Sequence, residues 1–153
     1  LLNDGFGRFE RKTRELMPNA FEASIRSLCI TDIDGDGAPD VVLGCLGTDR
    51  LLHNNGSGRL VEAAAFPGGG GTTSAVVTGD LDGDGDLDLL TAEELPSGTQ
   101  VYRTDNLGVG GFRRSITGLP ATLGRVTALA LGDIDGDDKL DLVLGEGQAG
   151  KPE

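Results

Sequence analysis

Asp32-Ile33-Asp34-Gly35-Asp36-Gly37-Ala38-Pro39-Asp40 recurs as Asp80-Leu81-Asp82-Gly83-Asp84-Gly85-Asp86-Leu87-Asp88, and again as Asp133-Ile134-Asp135-Gly136-Asp137-Asp138-Lys139-Leu140-Asp141. The three starts lie 48 and then 53 residues apart. A weaker motif keeps the same beat: Leu1-Leu2-Asn3-Asp4-Gly5, Leu51-Leu52-His53-Asn54-Asn55-Gly56 and Val101-Tyr102-Arg103-Thr104-Asp105-Asn106. Each is followed by Gly and an apolar residue, in Gly7-Arg8-Phe9, Gly58-Arg59-Leu60 and Gly111-Phe112. Two motifs sharing a period of about fifty residues mark a repeat protein.

Within each period the pattern predicts four short strands. Residues 24–31, 74–79 and 126–132 precede the Asp loops with β-branched or alternating apolar character. Val41-Val42-Leu43, Leu89-Leu90-Thr91 and Leu142-Val143-Leu144 follow them as buried runs. Asn- and Asp-Gly turns then join a third strand to a fourth. Residues 67–71 and 95–98 read as connecting loops, and residues 11–17 as at most a turn. No helix is expected.

A four-stranded unit of this length cannot bury both faces alone, and radial stacking of such units gives a β-propeller of roughly 4–8 blades. The expected fold is therefore all-β, with three four-stranded antiparallel repeats at residues 1–50, 51–100 and 101–153, permuted relative to the blade boundaries. Three blades fall short of a closed ring. The expectation is part of a larger propeller, or a head-to-tail assembly that closes a ring or runs on as a filament.

Each loop carries carboxylates at its positions one, three, five and nine. Alternate spacing in a tight turn lets them converge, and the carbonyl at position seven adds another oxygen. Six to eight oxygens at about 2.3–2.6 Å suit calcium, whereas the smaller magnesium holds its waters. Without thiolates or imidazoles in the loops, zinc and copper are disfavoured. Glycines at position four (Gly35, Gly83, Gly136) and position six (Gly37, Gly85) permit the positive φ of a sharp turn. Asp138 stands at position six of the third loop, and Asp tolerates that conformation better than most residues. Ile33, Leu81 and Ile134 at position two are expected to anchor the loops in the core, as are Leu87 and Leu140 at position eight. An EF-hand is excluded: position twelve is Leu43, Thr91 or Leu144 rather than Glu, and the flanks read as strands.

The balance of charge agrees. A formal net charge of −12 over 153 residues, from 25 acidic and 13 basic side chains, argues against nucleic acid or an anionic membrane as a partner, since both need a basic patch. No stretch approaches the roughly 18 apolar residues of a membrane span. The 26 glycines fit many tight turns.

The Asp-x-Asp-Gly-Asp-Gly-x-x-Asp loops, with their Leu-x-Asn-x-Gly hairpins, resemble FG-GAP/VCBS repeats, the blades of integrin α-chain propellers and of many secreted or cell-surface proteins. The resemblance implies one calcium per loop, about three in all. The implied ligands are Asp32, Asp34, Asp36 and Asp40 with the carbonyl of Ala38; Asp80, Asp82, Asp84 and Asp88 with that of Asp86; and Asp133, Asp135, Asp137 and Asp141 with that of Lys139. It also implies an extracellular or cell-surface scaffold or adhesion module with a protein or glycan ligand.

Other candidates carry less. His53, the only histidine, is expected to be a half-exposed strand residue, since it lacks an oriented catalytic partner. Glu93 and Glu94 are expected in a solvated loop. Residues 68–74 lack the Lys of a phosphate-binding loop and read as a flexible connector. Asn55-Gly56-Ser57 satisfies the glycosylation sequon, though Asn-Gly also serves the turn. Cys29 and Cys45 are expected opposite Leu43 and Ser27, a diagonal that favours free thiols over a disulfide and leaves the compartment open. No nucleophile–base constellation points to an enzyme. A carbohydrate-binding propeller is the alternative, weakened by the absence of Trp.

Overall fold

The structure, a computed structural model, describes residues 1–12, 23–64, 66–108, 110–116, 118–119 and 124–147. The turn expected within residues 11–17 lies largely outside them. Among the described residues every regular element is a strand: β1 (Leu2–Asn3), β2 (Phe9–Glu10), β3 (Ile25–Thr31), β4 (Asp40–Cys45), β5 (Arg50–Asn54), β6 (Leu60–Glu62), β7 (Thr72–Gly79), β8 (Asp88–Leu95), β9 (Gly98–Asn106), β10 (Phe112–Ser115), β11 (Arg125–Gly132) and β12 (Asp141–Gly147).

β3 to β6 form one antiparallel four-stranded sheet and β7 to β10 a second, each strand beside its neighbour in sequence; β1–β2 and β11–β12 are two-stranded. The repetition extends to register. Thr31 pairs with Asp40, Gly79 with Asp88 and Gly132 with Asp141, so the same pair closes all three Asp loops. Each of these hairpins also has a bulge at its far end, at Ile25/Ser27, Thr73/Ala75 and Val126/Ala128.

That register corrects one expectation. Because Asp40 enters the ladder opposite Thr31, Cys29 faces Val42, and the bulge brings Cys45 opposite Ile25. A one-residue slip exchanges faces in a strand. Cys29 accordingly packs on one side of the first sheet and Cys45 on the other, and both are free thiols.

First strands touch first strands, with β7 lying against β3 and β11, as in blades set around an axis. Both faces of the sheets are apolar, so successive residues of one strand serve different interfaces. Ile33, Val42, Leu51, Val76 and Leu89 fill the layer between the two four-stranded sheets, closed at the rim by an edge-to-face pair of Phe66 and Phe112, 5.5 Å apart. Ala75, Leu90, Ala92, Val101 and Val126 fill the layer between the second sheet and the β11–β12 hairpin. These are β-propeller blades, and the sheets do not close into a ring.

Position two behaves as this stacking dictates. Ile33 is buried and Leu81 half-buried, each beneath the following unit. Ile134 is 67% exposed, against expectation, because no described sheet lies beyond its hairpin. Leu87 is half-buried, while Leu140 is 41% exposed.

Two stretches read as loops are more ordered than their composition implies. Leu95 pairs with Gly98 around a two-residue turn, so Glu93 and Glu94 lie in β8 and Glu93 is buried. Residues 67–71 do connect the sheets, but as a fitted segment. Gly69 is buried, and the Gly47 amide donates to the Gly71 carbonyl at 2.8 Å. A Cβ on Gly68 would stand 2.6 Å from the Asp49 nitrogen, and one on Gly69 would run into the Glu93 carboxylate. Glycine serves here for close approach rather than for flexibility.

Candidate metal centres

The first carboxylate of each loop binds the backbone of its own turn. Asp32 accepts from the Gly37 amide at 2.9 Å, Asp80 from Gly83 at 2.7 Å and Gly85 at 3.1 Å, and Asp133 from Gly136, Asp137 and Asp138. The Asp138 and Gly136 amides hold the Asp133 carboxyl below the ordinary carboxylate range. These bonds need a curled backbone, hence φ of 87° at Gly37, 94° at Gly85 and 64° at Asp138. Asp138 is the one non-glycine residue with positive φ among the described residues.

Position five caps position seven. Asp36, Asp84 and Asp137 accept from the amides of Ala38, Asp86 and Lys139 at 2.8, 3.0 and 3.0 Å.

Position nine is a brace. Asp40 is fully buried and accepts the Ile33 amide at 3.1 Å and the Asn54 amide at 2.7 Å. Asp88, equally buried, accepts those of Leu81 at 3.1 Å and Asn106 at 2.9 Å. Asp141 accepts the Ile134 amide at 2.9 Å. Each carboxylate thus ties the loop entry to its exit, and in the two full sheets also to the third strand. Burial pushes the Asp88 carboxyl up, with the Asn106 and Leu81 amides opposing.

The outcome is convergence. Asp32, Asp34 and Asp36 present oxygens within 4.8 Å of one another, as do Asp80, Asp82 and Asp88, and Asp133, Asp135 and Asp141. Oxygens sharing one calcium stand at most about 5 Å apart, twice the bond length. Asp84 and Asp137 stand outside these groups. At the first loop Asp34 and Asp40 also group with His53.

The sequence profile of the FG-GAP-like repeat matches residues 32–91 and again residues 80–144. The chain belongs to this family. Comparison with curated proteins gives no match.

The donors of these FG-GAP-like repeats fit a cation on two counts. All-oxygen carboxylate sets suit calcium. Asp32 Oδ1, a buried side-chain atom at the first loop, has no hydrogen-bond partner, a costly arrangement unless something else satisfies it.

Sequence reading missed three participants. His53 is a half-exposed residue of β5, as expected, yet its Nδ1 lies 3.3 Å from Asp34 Oδ2 and 3.6 Å from Asp40 Oδ2. Arg103 brings Nη2 to 2.9 Å from Asp82 Oδ2 and 3.4 Å from Asp88 Oδ2 while Nε binds Asp105. Asp105 is bound by Arg113 as well, and although burial opposes it, the two guanidiniums hold its carboxyl below the usual range. The shared motif held a signal for these contacts. Asn54 and Asn106 both donate to a position-nine Asp, so the residues just before them necessarily approach the loop.

Apart from the loops, a buried polar cluster joins the two sheets. Asp49 accepts from the Cys45 amide and the Thr73 hydroxyl at 2.9 Å each, and Glu93 pairs with Arg114, whose guanidinium stacks 3.7 Å above the Tyr102 ring.

Proposed function

We propose that this chain is a calcium-stabilised, non-enzymatic scaffold of the extracellular space or cell surface, in which propeller repeats hold about three Ca2+ ions and present their loops to a protein or glycan ligand. The observation that carries this reading is the triple convergence of carboxylates in loops with one register and one hydrogen-bond pattern. Carboxylates this close repel one another, and a divalent cation relieves the repulsion. The ligand assignment is Asp32, Asp34, Asp36 and Asp40; Asp80, Asp82, Asp84 and Asp88; and Asp133, Asp135, Asp137 and Asp141, with the carbonyls of Ala38, Asp86 and Lys139. The repeats take residues 1–50, 51–100 and 101–153.

Further blades of the same chain, or copies joined head to tail, cover the outer sheets in this reading. Supporting it, Leu28 and Ile30 are 57% and 67% exposed on the first sheet, and Ile134 and Val143 are 67% and 48% exposed at the third hairpin. Apolar faces of this kind mark contact surfaces.

Thermal unfolding with calcium and with excess chelator tests the reading. Each site filled at a hundredfold excess over Kd adds about 2.7 kcal/mol, so the melting temperature rises by many degrees. An unchanged melting temperature refutes it.

A further inference from the structure

We infer that the first loop, unlike the second, is a mixed oxygen–nitrogen site that takes a borderline divalent transition ion, of which Zn2+ is the type, through His53 Nδ1. The inference rests on the cation-binding reading of the same loop and adds its selectivity.

The ring nitrogen points at the loop. His53 Nδ1 is shut off from solvent although the side chain as a whole is 32% exposed, and it makes no hydrogen bond. It lies 3.3 Å from Asp34 Oδ2 and 3.6 Å from Asp40 Oδ2. Neighbouring ligands of a tetrahedral zinc, each about 2.0–2.2 Å from the metal, stand roughly 3.4 Å apart. Asp32 Oδ1, in the same loop, is the other buried atom there without a partner.

A crevice of about 70 Å³ opens beside the loop where it meets the second sheet, and Asp34, His53, Asp86 and Asn106 line it.

The second loop is the internal contrast. Asn106 corresponds to Asn54, since each donates its amide to the position-nine Asp, and the residue preceding it is Asp105 rather than a histidine. That carboxylate is bound by Arg103 and Arg113. Carboxylates alone favour calcium, whereas imidazole favours zinc, copper and nickel. The nitrogen donor therefore sets the first loop apart.

His53 is the only histidine, so its ring reports without ambiguity. The test is 15N NMR of the histidine ring in the full chain, titrated with Zn2+ and separately with Ca2+, with calorimetry of His53→Gln. Zinc is expected to shift Nδ1 by metal coordination and to saturate at one equivalent, while calcium does not. His53→Gln is expected to weaken this zinc site at least about tenfold and to change calcium affinity less than about threefold. A ring unmoved by zinc, or equal losses for both ions in the variant, overturns the inference. The ring measurement stands even if the variant fails to fold. If zinc coordinates His53 but calcium leaves the melting temperature unchanged, the calcium scaffold reading fails and this site remains.

Discussion

The side-chain amide of Asn106 donates to the backbone carbonyl of Ile33 at 2.8 Å, reaching from the end of β9 into the Asp loop of the preceding repeat. The same side-chain nitrogen reaches the Leu87 carbonyl of its own loop at 3.4 Å, and its backbone amide binds Asp88. One residue thus touches two candidate metal loops. The corresponding Asn54 uses its side chain within its own unit, on the Pro39 carbonyl at 3.1 Å. Asn106→Ala is expected to destabilise by about 1–3 kcal/mol, the cost of orphaning a buried carbonyl, and to weaken cation binding at both loops. Asn54→Ala should weaken the first loop alone. Site-resolved titration of the two variants checks this, and identical patterns would count against the bridge.

Positions five and nine should separate stability from binding. Asp84 is exposed and caps only the Asp86 amide, so Asp84→Ala is expected to lower calcium affinity at the second loop and cost under about 1 kcal/mol of metal-free stability. Asp88→Ala leaves the buried amide of Asn106 and the half-buried amide of Leu81 unpaired and should cost roughly 2–4 kcal/mol even in chelator. Denaturant unfolding without metal distinguishes them. Equal losses would show that position nine is no brace.

The glycine connector gives a paired test. A Cβ on Gly68 meets the Asp49 backbone at 2.6 and 2.7 Å, while one on Gly70 meets nothing within 4 Å. Gly68→Ala is expected to destabilise by about 1–3 kcal/mol through overpacking, and Gly70→Ala to be neutral. Matching melting temperatures would restore the reading of a flexible linker.

Burial raises the Glu93 carboxyl despite Arg114, and raises that of Asp49 despite its amide and hydroxyl donors. Folding therefore takes up protons between the unfolded and the folded values. The associated stability is complete below the unfolded carboxylate range of about 4 and is lost as pH rises through the folded values. In chelator, stability should fall with pH across that window, and Glu93→Gln should flatten the slope. The variant should also cost about 3 kcal/mol at neutral pH by leaving Arg114 without its buried partner. A slope unchanged in the variant would show that Glu93 ionises normally in the fold.

The blades were legible because their signals are local. Asp spacing, loop glycines and paired apolar runs all lie within a dozen residues, and even the positive φ of Asp138 followed from its neighbours' glycines. What escaped was long-range. Glu93 looks solvated beside Pro96 and Gly98 because its partner Arg114 stands 21 residues away across the sheet. Cys29 looks opposite Leu43 until the pairing of Asp40 with Thr31 shifts the strand register by one and sets it against Val42. His53 belongs to the first loop only once β5 is folded beside β4.

Arg103 makes the second loop a site that carries its own cation. Its Nη2 lies 2.9 Å from Asp82 Oδ2 and 3.4 Å from Asp88 Oδ2, where a divalent ion would compete for the same oxygens. A positive charge near 4 Å from the ion opposes binding by several kcal/mol at an effective dielectric of about 20. Arg103→Met keeps the aliphatic stem and removes the charge, while Arg113 still neutralises Asp105. The variant is expected to bind calcium at the second loop about tenfold tighter, a gain of about 1.4 kcal/mol, and to melt lower than the parent in chelator. Titration followed at the amides of Gly83 and Gly85 isolates that loop from the other two. Unchanged or weaker binding there would mean that Arg103 braces the loop rather than competing for it.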